Sequence, residues 1–288
     1  MSTATVKPSN AVGQNPFRFL RAYTREEMDT FEGRSEDIAI LYEKVRNNRI
    51  TLVYGESGVG KTSLIQCGLA NSFQPSDWYD VLIQRKDDIN TSLLHTLAGL
   101  VPGTDTNDTS AARLVKALYV ENFKPIYLIF DQLEELYVNG SEKEIGSFYE
   151  TIDEIIHTLN TICRIVFIIR EDFHSRLDGF EKQVAPLFQA GFRVNRLKEE
   201  DAVRSVRKTL LHNKALVTLS PGLGPVSLLI AEKCTVDGMV NSSQLQILLF
   251  MLWRKAPKSS PGVADISEAL IRGVAKGSEE LLKEYIGE

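Results

Sequence analysis

The stretch from Arg49 to Phe73, RITLVYGESGVGKTSLIQCGLANSF, constrains the fold more than any other: a short apolar run turns through a glycine-rich loop into a helix. Gly55, Gly60, Lys61 and Thr62 fit the spacing G-x-x-x-x-G-K-[ST], with Glu56, Ser57, Gly58 and Val59 between the outer glycines and Ser63 following. Glycines let successive N–H groups turn inward toward phosphate oxygens, a backbone course that side chains resist. The same spacing sets Lys61 as a point charge on the β- and γ-phosphates of a nucleotide and the Thr62 hydroxyl as a Mg²⁺ ligand. A helix starting near Lys61 adds the positive end of its dipole. An ordinary strand-turn-helix connection needs neither the lysine nor the threonine. The flanks agree, because Ile50, Leu52, Val53 and Tyr54 read as a buried strand and Ser63 to Phe73 carries apolar residues at helical spacing.

A chain of 288 residues implies about two domains. Its 25% charged content and net charge of −5 give no overall basic bias toward nucleic acid or an anionic membrane, although a local patch stays open. Cys67, Cys163 and Cys234 lie far apart, each inside an apolar stretch, which fits buried thiols in a reducing compartment and supplies no zinc cluster. The longest apolar run, Leu245 to Trp253, falls well short of the about 20 residues that cross a bilayer, and no signal peptide opens the chain, so the expected compartment is the cytoplasm.

Residues 1 to 15 are small, polar and aperiodic, and read as a flexible lead-in. Thr24 followed by Glu27 is a capping-box signature, and Ser35 with Glu36 and Asp37 reads as the N-cap and acidic first turn of a helix whose apolar face is Ile38, Leu41, Tyr42 and Val45. Downstream, Tyr79 to Gln84 reads as a strand, Asn90 to Leu100 as a helix, Pro102 to Ser110 as a polar loop, and Leu114 to Tyr119 as part of another helix. The unbroken apolar runs Ile126 to Phe130 and Ile165 to Ile169 are central parallel strands, separated by a long amphipathic helix through Ile145 and Leu159. Phe192 to Leu197 is a weaker strand. Alternating strands and helices predict a nucleotide-binding α/β domain over 16–197 with helices on both sheet faces. From Lys198 the pattern is helical only, giving a helical domain over 198–256. Pro257 to Gly262 reads as a loop or linker, and Ser267 to Ile286 as a last helix, with 257–288 opening a third domain.

Asp131 ends the IYLIF strand, where a carboxylate anchors Mg²⁺ through its water shell. On the same turn, Glu134 or Glu135 can orient and deprotonate an attacking water, and spacing does not choose between them. The bland alternative for DQLEE is a solvated helix start with acids near its N-terminus. Arg170 ends the IVFII strand, where a forked cation can report a γ-phosphate or simply pair with Glu171 or Asp172. The four histidines, His95, His157, His174 and His212, are scattered and take no role.

With these pieces in place the chain resembles the STAND class of P-loop signalling ATPases, and more closely its bacterial novel STAND NTPases. The resemblance rests on NPFRFLRAYTREEMDTFEGR, GESGVGKTS, LIFDQLEEL, FIIREDFHSRL and SSQLQILLFMLW, which run in order from residue 15 to about 253. It implies a three-layer α/β/α fold with a five-stranded parallel sheet, the Arg170 strand lying between the loop strand and the Asp131 strand. A small helical domain and the start of a winged-helix domain would follow. It further implies Phe31, Gly33 and Arg34 as adenine-side contacts, ATP and ADP with Mg²⁺ as the bound species, and slow hydrolysis. ATP held between the two domains would favour a homo-oligomer, and effector or sensor domains would lie outside these residues, often in defence against phage. No guanine-reading N-K-x-D motif is present, and Ser242 and Ser243 stand where the family commonly has a base-packing proline. Two other readings remain open: a fast remodelling ATPase and a non-hydrolysing nucleotide-binding module.

Overall fold

The computed structural model describes residues 15–101, 110–159, 161–184, 190–259, 262–274 and 283. Most of the expected lead-in, the polar loop after Pro102 and the end of the last helix, with Leu281, Leu282 and Tyr285, lie outside the described residues. Two compact units emerge: Ala22–Met28 with Arg34–Asn195, and the remainder, which includes Asp29–Gly33 and everything from Arg196.

The first unit is built on five parallel strands, β1 Ile50–Gly55, β2 Tyr79–Gln84, β3 Ile126–Asp131, β4 Cys163–Arg170 and β5 Gly191–Arg193, in the order β2-β3-β4-β1-β5. This is the expected fold, with the Arg170 strand between the loop strand and the Asp131 strand. Every residue of β3 is buried, as a strand covered on both faces requires. Helices Ile89–Leu100, Ala111–Asn122 and Glu142–Thr158 begin at Asp88, Ser110 and Ser141, whose side chains accept N–H bonds of the first turn. Phe130, Phe148, Phe167 and Phe180 meet with ring centres 5.2 to 6.0 Å apart, joining β3 and β4 to the covering helices.

Local chemistry differs from expectation at three places in this unit. Ser35 is the first helical residue of Ser35–Asn47 rather than its cap, because Arg34 occupies the cap position and spends its side chain elsewhere. Glu27 does reach back to the Thr24 N–H at 2.8 Å, but the turn it closes, Arg25–Thr30, is 3-10. The helix after the glycine loop is continuous but tripartite: α-helical Lys61–Ser63, a π-turn at Leu64–Leu69, then α-helical Ala70–Ser72.

The second unit is not helices only. Helices Glu199–His212, Leu223–Cys234 and Ser242–Lys255 enclose an apolar core with Val206, Ile230, Leu248 and Trp253, but short strands link them. Leu197–Lys198 (β6) pairs with Met239–Val240 (β9), which pairs with Thr235–Val236 (β8). The β8–β9 turn is Asp237-Gly238, with φ of 52° and 72°, the left-handed pair that tight hairpins favour. Val217–Ser220 (β7) lies parallel to Val263–Ser267 (β11), and Lys258–Ser259 (β10) pairs antiparallel with β11, so part of the PKSSPG stretch is a hairpin arm. Ala264, Ile266, Ile271 and Val274 enter the same apolar core. The last described helix is Glu268–Gly273 and ends at an extended Val274, short of the run expected to Ile286. Phe192 to Leu197 likewise splits, its first two residues in β5 and its last in β6. All three cysteines are buried, and burial pushes the thiols of Cys163 and Cys234 up to about 12, which leaves them protonated and inert.

Candidate functional site

At the end of β1 the chain leaves the sheet through Gly55, whose backbone passes so close to the Val194 carbonyl that any Cβ would collide with it. Gly58 and Gly60 take φ of 77° and 92°, the left-handed region that glycine enters readily and that curls the loop. Lys61 opens the helix and folds back, its Nζ donating to the Gly55 and Glu56 carbonyls at 2.9 and 2.8 Å. Burial lowers the Lys61 pKa, against the pull of the Glu134 and Asp131 carboxylates. Ser63 accepts the Tyr23 N–H at 3.1 Å, fastening the helix start.

Arg34, buried, clamps the back of the loop. Its Nη2 donates to the Val59 carbonyl at 2.7 Å, while Nη1 donates to the Asn195 carbonyl at 2.8 Å and the Asp37 carboxylate at 2.7 Å. These bonds explain why Arg34 is not a free cap. Phe31 and Gly33 belong to the other unit, where Gly33 takes φ of 84° and passes the Asp201 carbonyl.

β3 delivers Asp131 to the same edge. The Thr62 hydroxyl donates to Asp131 Oδ1 at 2.9 Å, across 69 residues of sequence. The Gln132 N–H donates to the same oxygen at 3.1 Å, and Gln84 Nε2 donates to Oδ2 at 3.1 Å. Burial raises the Asp131 pKa, while Thr62, Gln84 and Gln132 favour its ionised form. Gln132 sits at φ of 57°, a costly conformation for a side-chain-bearing residue, and this sharp turn starts the helix Glu134–Asn139 under the site.

The two acids that spacing could not separate have different surroundings. Glu134 Oε2 accepts the Arg170 N–H at 3.1 Å, and burial raises its pKa against the charges of Lys61 and Arg170. Glu135 instead accepts from Asn139 at 2.6 Å on its own helix. The sheet register sets Arg170 opposite Gly55. Its guanidinium forks onto Asp172 at 3.0 and 2.7 Å, so the bland alternative for this residue is present in the structure. Arg193 at the end of β5 pairs with Glu171 at 2.9 Å.

Gln84, Gln132 and Arg193 escaped the sequence reading. Only Gln84 carried a usable signal, as a polar residue ending a strand. Thr62 and Asp131 fit a hard divalent ion: the hydroxyl donates its hydrogen bond to the carboxylate, which leaves oxygen lone pairs to face a cation and its waters. No cluster of three or more His, Cys, Asp or Glu is present among the described residues, so an ion here would take its remaining ligands from phosphate and water.

The sequence matches the family described as novel STAND NTPase 1 over residues 16–261. The chain belongs to that family. This STAND NTPase matches no curated protein in sequence. Among solved structures it is similar to the Aeropyrum pernix ORC2 protein in its ADPNP–ADP complexes, at 15% identity and a TM-score of 0.63, covering 90% of this chain and 72% of that one. A Walker-type ATPase of Pyrococcus abyssi gives 18%, 0.57, 82% and 71%, and PCH-2 of C. elegans gives 13%, 0.51, 88% and 67%. At such identities the likeness is one of fold, and it agrees with the strand order of the STAND NTPase. No helix of its described residues is long and apolar enough to cross a membrane.

Proposed function

We propose that this STAND NTPase is an ATP-controlled switch with slow, Mg²⁺-dependent hydrolysis. The observation that carries the reading is the 2.9 Å bond between Thr62, on the glycine loop, and the buried Asp131. Loop N–H groups and Lys61 bind the phosphates, and Lys61 exchanges its two carbonyl partners for phosphate oxygens. Mg²⁺, when bound, would neutralise charge on the phosphates. Thr62 and Asp131 would hold it, the latter through water. Glu134 orients and deprotonates the attacking water, a role its half-buried place beside Lys61 supports and Glu135's bond to Asn139 does not. Arg170 leaves Asp172 to meet the terminal phosphate.

The finer parts of the proposal come from the family. Phe31 and Gly33 contact the base, and ATP and ADP hold the two units in different arrangements. The ATP form is a homo-oligomer, and effector and sensor domains, with a winged-helix region, continue beyond these residues. The setting is cytoplasmic signalling, in bacterial defence.

Calorimetry of a non-hydrolysable ATP analogue with Mg²⁺, alongside hydrolysis rates, tests the reading in wild type, Lys61→Ala, Glu134→Gln and Glu135→Gln. Lys61→Ala is expected to weaken binding about 10- to 100-fold, the range for losing a charged hydrogen-bond partner. Glu134→Gln should keep binding and lose about 10²- to 10⁴-fold in rate, whereas Glu135→Gln stays near wild type. No heat with the wild type, or hydrolysis surviving in Glu134→Gln, would overturn the assignment.

A further inference from the structure

Asp131 is buried, and three hydrogen bonds already occupy its two oxygens. A carboxylate offers about four acceptor directions, two on each oxygen. Oδ1 uses both, on the Thr62 hydroxyl and the Gln132 N–H. Oδ2 uses one, on the Gln84 amide, and a single direction is left. The Gln84 amide is the partner of Oδ2 and so helps to set where that last lone pair points.

Packing does not put the Gln84 side chain there, because Gln84 is the exposed final residue of the edge strand β2. Its backbone is placed by register, with Gln84 opposite Asp131. The strand end is then pinned by the next residue. Arg85 Nε and Nη2 fork onto the Glu144 carboxylate at 2.8 and 2.9 Å, and Nη2 also donates to the Asp87 carbonyl at 2.7 Å. Glu144 in turn accepts the Ile89 N–H at 2.7 Å. A buried ion pair is weak evidence for stability, so its place beside Gln84 calls for another reason.

We propose that Gln84 is a positioning residue, which aims the remaining lone pair of Asp131 Oδ2 at the hydration shell of the metal, and that the Arg85–Glu144 pair fixes the strand end so that it can. The inference rests on the nucleotide-and-magnesium reading above. Without the amide, Thr62 and Gln132 still hold Oδ1 but Oδ2 loses its partner, and the water-mediated contact loses its direction. Binding of nucleotide alone, through the loop and Lys61, does not depend on Gln84.

The test separates metal from nucleotide. Binding of a non-hydrolysable ATP analogue is measured by calorimetry with and without Mg²⁺ in wild type, Gln84→Met, Gln84→Asn and Arg85→Lys, and Mn²⁺ binding to the analogue complex is followed by electron paramagnetic resonance. Gln84→Met keeps the length and removes the donor; Gln84→Asn keeps the donor one carbon short, and either variant suffices if the other misfolds. The expected result is metal-free binding equal to wild type and a loss of about tenfold or more in the enhancement that Mg²⁺ gives, the low end for one hydrogen bond to a charged group. Arg85→Lys, which cannot fork, should fall between. An unchanged enhancement in both Gln84 variants, or an equal loss with and without metal, would overturn this proposal alone. A wild type whose binding ignores Mg²⁺ would overturn the functional reading and this proposal with it.

Discussion

Removing the cation from the buried pair should cost far more than removing one from the surface. The Arg85 and Glu144 side chains are only 9% and 6% exposed. Arg85→Met leaves the Glu144 carboxylate out of water with the Ile89 N–H as its partner from the Arg85 side of the site. An uncompensated buried charge of this kind costs about 3–5 kcal/mol, against about 0–1 kcal/mol for an exposed pair. For a unit of this size each kcal/mol moves the midpoint by about 2–4 °C, so a fall of about 6–20 °C is expected. Adding Glu144→Leu removes the stranded charge and leaves mainly the Ile89 N–H unsatisfied, a loss of about 1–3 kcal/mol. The double variant should therefore be more stable than Arg85→Met alone. Fluorescence reads this cleanly, since the two tryptophans, Trp78 and Trp253, lie buried in different units. In a Trp253→Phe background, urea or thermal melts followed at Trp78 report the sheet unit. A drop under about 1 kcal/mol for Arg85→Met, or a double variant weaker than the single, would refute the reasoning.

Two further outcomes follow from backbone geometry. Gly55→Ala drives a Cβ into the Val194 carbonyl and should lower the same midpoint by an amount matching about 1–3 kcal/mol, measured by the Trp78 melt. Phe123 sits at φ of 54° where the helix Ala111–Asn122 ends, and is 79% exposed, so little packing is lost on its removal. Phe123→Gly should stabilise the unit by about 1 kcal/mol, and a lower midpoint would show that the ring matters more than the strain.

What the sequence disclosed and what it hid divide along physical lines. Strands β2, β3 and β4 were legible because each is a compact apolar run bounded by polar or turn residues, and Tyr79–Gln84 was found to the residue. The strands of the helical unit have two to five residues, too few for a period to show. One of them was readable all the same: Thr235-Val236-Asp237-Gly238-Met239-Val240 has the Asp-Gly turn between β-forming residues that marks a tight hairpin. At the candidate site, loop glycines, Lys61 and Thr62 announce themselves because their spacing is local. Asp131 was legible because a lone acid ends an apolar strand. Gln84 meets Asp131 across 47 residues, and Arg34 reaches Val59 and Asn195 across 25 and 161. Those contacts are products of strand order and loop course, to which composition and periodicity are blind. The same limit governs Glu134 and Glu135, which are neighbours in sequence and differ only in what the fold brings to them.

The two bonds of Arg170 differ in weight, and the difference bears on how such a site can sense a phosphate. Its guanidinium rests on Asp172 with the side chains 45% and 56% exposed, so the pair contributes at most about 1 kcal/mol, a population bias of about fivefold. A terminal phosphoryl group offers more negative charge and oxygens that the planar guanidinium fork can meet in pairs, so exchange from Asp172 to phosphate is easy. The Arg170 N–H, by contrast, bonds a half-buried carboxylate, and a hydrogen bond to a charged group is worth about 1.5–3 kcal/mol. Turning Glu134 away from this N–H therefore costs more than freeing the guanidinium for recognition, and the bond leaves the other acceptor directions of Glu134 open. On the proposed function, the guanidinium moves readily to the terminal phosphate while Glu134 stays anchored to the end of strand β4. The difference arises from the exposure of the Arg170–Asp172 pair and the half-burial of Glu134.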